Sequence, residues 1–201
     1  EVLDFVRARG EEDVLQQAGL REEEDVFASV WKSFQNRWAW LAINLVTAFV
    51  ASRVIGAFEG SIERLVALAA LMPIVAGIGG NSGNQTTTMI VRALALGQIQ
   101  REYWGRLLRK EMGVATLNGV AWGTLLGAVA FALYGNAALG GVMALAMLLT
   151  LLLAAGMGVA IPCLRARFGR DPAVGSSVLI TACTDSGGFF IFLGLATLFL
   201  L

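Results

Sequence analysis

The chain has 201 residues, of which 57% are hydrophobic, and its mean hydropathy is +0.70. Both values exceed those of an ordinary soluble domain, so the sequence predicts a membrane protein. The formal net charge is zero, but nine of the fifteen acidic residues precede residue 26. Because the chain has no histidine and its two cysteines, Cys163 and Cys183, lie in apolar stretches, we exclude a thiolate and imidazole zinc site and a disulfide framework.

Residues 1–36 are charged and predict one or two amphipathic helices outside the bilayer. Glu12 and Asp13 belong to an acidic cluster on this segment, and a solvated acidic face is the alternative to a binding role. The chain begins at Glu1 without a signal sequence, so we expect further N-terminal domains in the whole protein. We therefore divide the chain into a cytosolic connecting segment, 1–36, and a transmembrane domain, 37–201.

Five apolar spans follow the charged segment. At about 1.5 Å per residue in a helix, each reaches or exceeds the roughly 30 Å of a bilayer's hydrocarbon core. Their predicted ranges are 38–57, 65–91, 112–134, 139–163 and 173–201. We expect an all-α membrane protein with five transmembrane helices, preceded by the amphipathic cytosolic helix.

The basic residues predict the orientation of these spans. Thirteen of the fifteen lie in the N-terminal segment and in the loops after the second and fourth spans, whereas only Arg53 and Arg64 lie on the opposite side. Since Lys and Arg concentrate in cytoplasmic loops, the N-terminus is predicted to be cytoplasmic and the C-terminus outside, in a plasma or inner membrane. Five helices rarely enclose a hydrophilic path alone, so we expect a homodimer whose pore lies on the two-fold axis.

The fifth span carries an acid, Asp185, in its middle. An Asp at the centre of a spanning helix costs about 2.5–3.5 kcal/mol, and such residues usually face water or a partner. Ser177, Thr181, Thr184 and Gly188 lie on the same predicted helical face, so we interpret this strip as the lining of a pore. The alternative is a protonated acid that hydrogen-bonds to a neighbouring helix.

The second span is interrupted by polar and small residues. Asn81, Asn84 and Gln85 follow a run of glycines, and Pro73 precedes it, so we expect a local break in this helix. Amide, hydroxyl and carboxylate oxygens are the ligands that hard cations prefer, which predicts a cation site shared by the second and fifth spans. The alternative is that these side chains only hydrogen-bond between helices. In the third span, three glycines four residues apart predict close helix packing inside the chain: Gly119, Gly123 and Gly127.

Three sequence blocks resemble the MgtE family of magnesium channels, and the resemblance covers essentially the whole chain. They are GGNSGNQTTTMIVRALALG at 79–97, KEMGV at 110–114, and DPAVGSS with TDSGGFF within 171–190. The resemblance implies a homodimer that conducts Mg²⁺ inward through a pore built from the second and fifth spans. It also implies that Asp185 is the pore acid that holds a hydrated Mg²⁺, and it places four residues on the second-span signature: Asn81, Gly83, Asn84 and Gln85.

The same resemblance implies a gate at the inner mouth of the pore. Glu12 and Asp13 resemble an acidic pair at the start of the family's connecting helix, and Asp171 resembles an acid near the mouth. Mg²⁺ bridging these acids would hold the helix over the mouth, so Mg²⁺ is expected both as transported ion and as regulator. The family's cytosolic sensing domains are absent from this chain.

We therefore expect two Asp185 carboxylates of a dimer to bind a largely hydrated Mg²⁺ through its waters, with four side chains orienting the water shell: Thr181, Asn81, Asn84 and Gln85. One alternative is a proton-coupled secondary transporter of divalent cations, and another is a segment that only anchors and dimerises soluble domains. The expected partners are a second copy of the chain and membrane lipid. No enzyme motif and no nucleic-acid-binding stripe is found.

Overall fold

The computed structural model describes residues 27–99 and 101–201, and all regular structure within them is helical. The described residues form six α-helices, named here in chain order: α1 Val30–Ala57, α2 Glu59–Arg64, α3 Ala67–Ala95, α4 Trp104–Tyr134, α5 Ala137–Arg167 and α6 Ser176–Leu200. A 3-10 turn, Arg101–Tyr103, precedes α4. Each of the five predicted ranges overlaps one long helix, α1 or α3 to α6, but α1 and α4 each begin eight residues before the predicted start.

Short polar residues and glycines set the ends of these helices. The Ser29 hydroxyl accepts a hydrogen bond of 3.4 Å from the backbone N–H of Lys32 at the start of α1. The Asn136 side chain accepts one of 3.1 Å from the N–H of Leu139 at the start of α5. Gly135, with φ of +64°, ends α4, because a left-handed residue after a helix is most often glycine. The connection between α4 and α5 is therefore tight, and the two helices run antiparallel.

The N-terminal part of the prediction is only partly described. Residues 1–26, which include the acids Glu12 and Asp13, lie outside the described residues. Helix α1 begins at Val30, so the predicted boundary between residues 36 and 37 falls inside a continuous helix. The end of the predicted connecting segment and the first predicted span are thus one helix in the described part.

Four of the helices are long and apolar enough to cross a membrane, judged by length and composition: α1, α4, α5 and α6. Helix α3 is also long, with 29 residues, and at about 1.5 Å per residue it exceeds the roughly 30 Å of a hydrocarbon core. Its mean hydropathy is too low for it to count with these four, because its middle, from Asn81 to Thr88, is polar. Its role as a fifth span stays a prediction.

Helix α5 is the centre of the bundle. Helices α3, α4 and α6 each pack along it, whereas α1 packs on α6 and buries only Ala51. The largest apolar cluster joins side chains of α3, α5 and α6, among them Leu68, Met143 and Phe192, all with no exposed surface. The most buried of the described long helices is therefore α5, although residues such as Leu145 are exposed, and α3 and α4 both pack on it.

The glycine pattern of α4 serves packing against α5, as predicted. A methyl group built at Gly123 would lie 2.7 Å from the carbonyl oxygen of Ala144. One built at Gly127 would lie 2.6 Å from the carbonyl oxygen of Gly140. Such approaches leave no room for a side chain, so the small residues allow the two backbones to meet. They do not form an unpartnered surface.

The local break predicted in the second span does not occur. Helix α3 continues through Pro73 and through the glycines that follow it. The glycines have another role: a methyl group at Gly79 would lie 2.6 Å from Thr150 Cγ2, and one at Gly83 would lie 2.7 Å from Ile180 Cγ2. Because they bring α3 against α5 and α6, they support a continuous helix where the sequence suggested an interruption.

Candidate ion site on helices α3 and α6

Asp185 lies in the middle of α6 and is half-buried. Within residues 27–99 and 101–201, its carboxylate forms no hydrogen bond and no ion pair. The alternative of an acid satisfied by a neighbouring helix therefore finds no support in the described residues. A carboxylate in an apolar helix with no protein partner needs water or a cation to stabilise it.

The polar strip predicted on α6 divides into two parts. Thr184 is fully buried, and its hydroxyl donates to the Ile180 carbonyl oxygen at 2.9 Å within its own helix. Gly188 is also buried and faces Thr150 of α5. Thr181, like Asp185, is half-buried, so the residues available to a ligand are a subset of the predicted strip.

Thr181 presents its hydroxyl oxygen as an acceptor. The hydroxyl donates to the carbonyl oxygen of Ser177 at 2.9 Å, which uses its single hydrogen. The lone pairs of the oxygen remain, and a hydroxyl oxygen can accept from water. Thr181 is one helical turn before Asp185, so both side chains lie on one side of α6.

Of the three polar residues predicted on α3, Asn84 is the one on the side of the helix that meets α6. A methyl group built at Gly80, one turn earlier, would lie 3.6 Å from the Thr184 hydroxyl oxygen. Residues four apart share a helical face, so Asn84 follows Gly80 along the side of α3 that meets α6. Asn84 is half-buried. Because Gly80 lies against Thr184 and Gly83 against Ile180, Asn84 lies at the level of Ile180 and Thr181, about one turn from Asp185.

Asn81 and Gln85 lie elsewhere on α3. Both are exposed and line a groove of about 230 Å³ between α3 and α4. The other lining residues are Ile78, Ser82, Asn118, Trp122 and Leu151. Gly83 faces α6. Gln85 follows it by two positions, and at 3.6 residues per turn its side chain points about 200° away from that contact. Within one chain, the structure does not bring Asn81 and Gln85 to Asp185, and their role in an ion's water shell stays a prediction.

Asp171 lies in the exposed loop between α5 and α6. Its Oδ1 accepts a hydrogen bond of 2.8 Å from the Ala173 backbone N–H, and its carbonyl oxygen accepts one of 3.0 Å from Arg165 Nε. These contacts fix the loop, and within residues 27–99 and 101–201 the second carboxylate oxygen accepts no hydrogen bond. The predicted partners of Asp171 at the gate, Glu12 and Asp13, are outside the described residues, so the gate stays a prediction.

Sequence reasoning missed one buried acid, Glu111, which is 5% exposed. Its Oε1 lies 2.8 Å from Lys110 Nζ, and its Oε2 accepts a hydrogen bond of 3.4 Å from the Thr86 hydroxyl of α3. The sequence did contain a signal. Extending the glycine pattern of α4 toward its start, four residues at a time from Gly119, reaches Ala115 and then Glu111, which places this acid on the buried face.

The side chains of this region are oxygen ligands that carry little charge. No group of three His, Cys, Asp or Glu side chains comes together in the described parts of the chain. A hydroxyl, an amide and one carboxylate per chain are hard oxygen ligands, which suit Mg²⁺ or Ca²⁺ better than softer metals. With so few charges, an ion would keep most of its own waters.

The chain is similar to known divalent cation transporters. A family model, MgtE, described as a divalent cation transporter, matches residues 72–195, from α3 to α6. The magnesium transporter MgtE of Thermus thermophilus is 34% identical over 206 residues, and that of Bacillus subtilis is 29% identical over 200. Each alignment covers 100% of this chain but only 45% and 44% of the relative, so the chain spans less than half of their length. A third relative, from Enterococcus faecalis, is 28% identical over 200 residues.

The family match covers more than half of the chain, including every element that builds the candidate site. The family consists of transporters, so the expectation that the chain is not an enzyme is confirmed. The apolar helices and this match together identify a membrane protein. The chain belongs to the MgtE family of divalent cation transporters.

Proposed function

We propose that this chain is the membrane part of a magnesium channel, with five spans and a homodimeric pore lined by α3 and α6. Its relatives are named magnesium transporters, which supports Mg²⁺ as the substrate. The polar middle of α3 supports its role in a pore, because a helix with this composition is unfavourable against lipid. The channel would carry Mg²⁺ into the cytoplasm, with the N-terminus inside and the C-terminus outside, as the distribution of basic residues predicts.

The observation that carries this proposal is the half-buried Asp185 carboxylate without a partner in the described residues. A two-fold axis beside α6 would place two such carboxylates opposite each other, and their charge would balance a divalent cation. Mg²⁺ demands octahedral oxygen ligands at about 2.0–2.1 Å and releases its waters reluctantly. Contact through those waters attracts the ion without holding it, which is what conduction requires.

Thr181 and Asn84 are the residues best placed to orient the ion's waters. Thr181 presents an acceptor one turn before Asp185, and Asn84 lies on the side of α3 that meets α6. The predicted contributions of Asn81 and Gln85 would need the second copy of the chain, because in one chain both line the groove next to α4.

The proposed gate lies at the cytoplasmic end. Mg²⁺ bound between Asp171 and the pair Glu12 and Asp13 would hold the N-terminal segment over the pore. The loop contacts of Asp171 support a fixed position for this acid, and its second oxygen is available to a metal. In the whole protein, N-terminal domains beyond this chain would control the gate.

The test is Mg²⁺ uptake into proteoliposomes at two pH values, with Ca²⁺ as comparison ion. We expect Asp185→Ala and Asp185→Asn to reduce the Mg²⁺ flux at least about tenfold. One charge-assisted contact is worth about 1.5–3 kcal/mol, and each 1.4 kcal/mol corresponds to a factor of about ten. Glu63→Gln is the matched control, because Glu63 is an exposed acid on α2. We expect it to conduct as the original chain does.

Each outcome distinguishes two hypotheses. Loss of flux in variants that still form dimers, with little pH dependence in the original chain, supports a channel for the hydrated ion. Flux that changes steeply with pH and saturates at low turnover supports the proton-coupled transporter instead. If Asp185→Ala conducts as well as the original chain, Asp185 is not part of the ion path.

A further inference from the structure

The side chain of Thr150 on α5 lies where α3, α5 and α6 meet, and it has no exposed surface. A methyl group built at Gly79 of α3 would lie 2.6 Å from Thr150 Cγ2, and one built at Gly188 of α6 would lie 3.2 Å from the same atom. The methyl group of Thr150 therefore occupies a gap that exists because both neighbouring helices carry a glycine there.

The hydroxyl group of Thr150 does not explain this orientation. Its Oγ1 is buried and has no hydrogen-bond partner within residues 27–99 and 101–201. Thr116 and Thr184 instead donate to the carbonyl oxygen four residues earlier in their own helices. A threonine in a helix can form this bond, and leaving a buried hydroxyl unpaired is unfavourable. The contacts of the methyl group thus outweigh the hydrogen bond that Thr150 leaves unmade.

The gap lies at the depth of Asp185. Thr184 directly precedes this acid, and Gly188 follows it by three residues. A methyl group at Gly79 would also lie 3.9 Å from Thr184 Cβ, so Gly79 and Thr150 contact the part of α6 that carries Asp185. Helices α3 and α6 are the two proposed to line the ion path. Their spacing at this depth therefore depends on the size of the Thr150 side chain.

We propose that Thr150 is a positioning residue that determines ion specificity: its methyl group spaces α3 and α6 and so sets the width of the ion path beside Asp185. The inference rests on the proposed function, because it assumes that these two helices line the path. Mg²⁺ holds six oxygens at about 2.0–2.1 Å, whereas Ca²⁺ holds six to eight at about 2.3–2.6 Å, so a wider path favours Ca²⁺. Thr150 acts through the backbones of Gly79 and Gly188.

Moving one methyl group across the gap tests the proposal. Gly79→Ala adds a methyl group that pushes α3 away from Thr150, and we expect the ratio of Ca²⁺ to Mg²⁺ uptake into proteoliposomes to rise at least about threefold. Thr150→Ser removes Cγ2, and in the double variant it is expected to return the ratio to within about twofold of the original. Thr150→Ser alone is expected not to raise the ratio, because the helices can only close on the vacated space. Loss of folded protein lowers both fluxes together and leaves the ratio unchanged.

Three further variants separate spacing from other roles. Thr150→Val keeps Cγ2 and replaces the unpaired hydroxyl, so it is expected to leave the ratio unchanged. Gly188→Ala adds its methyl group at 3.2 Å from Thr150 Cγ2, so it is expected to fold more readily than Gly79→Ala and to raise the ratio by less. Gly141→Ala is the matched control on α5, because a methyl group there meets nothing within 4 Å. It is expected to behave as the original chain does.

The ratio and the Asp185 variants answer different questions. The inference is overturned if both Gly79→Ala and Gly188→Ala leave the ratio unchanged, if Thr150→Ser does not reverse their effect, or if Thr150→Val changes the ratio as much as they do. Asp185→Asn, measured in the same vesicles, tests the proposed function separately, and its loss of flux supports that function even where the ratio ignores the methyl groups. A ratio that follows the methyl groups while Asp185→Asn conducts normally would contradict the ion site but support the spacing role of Thr150.

Discussion

The hydroxyl of Thr86 on α3 donates a hydrogen bond to the buried carboxylate of Glu111 on α4, with 3.4 Å between the two oxygens. The next residue, Thr87, donates to the carbonyl oxygen of Gly158 on α5 at 3.5 Å. Because α3 and α4 otherwise scarcely contact each other, this pair of bonds fixes the second half of α3 relative to both neighbours. The rotation of α3, and with it the side that presents Asn84, depends on these contacts.

Replacing Glu111 tests this dependence. Glu111→Ala removes the acceptor of the Thr86 hydroxyl and leaves a buried cavity. We therefore expect the free energy of unfolding to fall by about 1–3 kcal/mol. Glu111→Gln keeps an acceptor for Thr86 and is expected to lose less. Lys110 is 59% exposed in its side chain, so its ion pair adds little in water. Denaturant unfolding in detergent gives the values, and equal stability of Glu111→Ala and the original chain would contradict the interpretation.

The glycines of α4 allow a matched comparison within one helix. A methyl group at Gly123 would meet the Ala144 carbonyl oxygen at 2.7 Å, whereas one at Gly113 meets nothing within 4 Å. Gly123→Ala therefore forces backbone movement and is expected to cost about 1–3 kcal/mol. Gly113→Ala is expected to be neutral or to stabilise by up to about 1 kcal/mol, because alanine is the better helix former. Thermal unfolding measures the stability change of each variant. Similar changes at the two positions would be evidence against tight α4–α5 packing.

Thr181→Val tests whether the threonine oxygen accepts from the ion's waters. Valine keeps the shape but removes the acceptor, so we expect Mg²⁺ flux to fall roughly fivefold, the equivalent of about 1 kcal/mol. Thr116→Val is the control, because the Thr116 hydroxyl donates to Met112 within its own helix just as Thr181 donates to Ser177, but on exposed α4 surface. If both variants lose flux equally, the hydroxyl of Thr181 acts on helix stability and not on the ion.

A double-mutant cycle tests which α3 residue shares a site with Asp185. We expect Asn84→Ala and Asp185→Glu to be coupled by about 0.5–3 kcal/mol in flux, since both would contact the same hydrated ion. Asn118→Ala and Asp185→Glu are expected to add to within about 0.5 kcal/mol, because Asn118 lies across α3 in the groove. Uptake by the single and double variants gives both values. Coupling of Asn118 with Asp185 as strong as that of Asn84 would contradict the assignment of Asn84 to the ion site.

The helices were predictable because apolar run length and membrane thickness constrain them directly. Each predicted span overlaps a long helix, and the small-residue pattern of α4 correctly indicated internal packing. The family was predictable from three sequence blocks, which the family match confirms. These features depend on local sequence, which a single chain displays in full.

Features that depend on helix rotation were harder to predict. Asn81, Asn84 and Gln85 all fall within about one turn, and the sequence alone did not show that Gly80 and Gly83 would direct Asn84 toward α6 and Gln85 toward α4. The expected break in α3 was wrong for a related reason: glycines that permit a bend also permit close packing, and here Thr150 and Ile180 pack tightly against them. The choice between these roles is made by neighbouring helices.

The arrangement around α5 also determines the order in which the bundle can assemble. Helices α3 and α4 are synthesised before α5, yet their main packing surface is α5 itself. Until that helix enters the bilayer, the glycines of α4 lack the helix against which they pack, and Glu111 is not fully buried. A nascent chain that has reached only Gly135 is therefore expected to insert its helices without associating them, and its assembly in the membrane begins with α5.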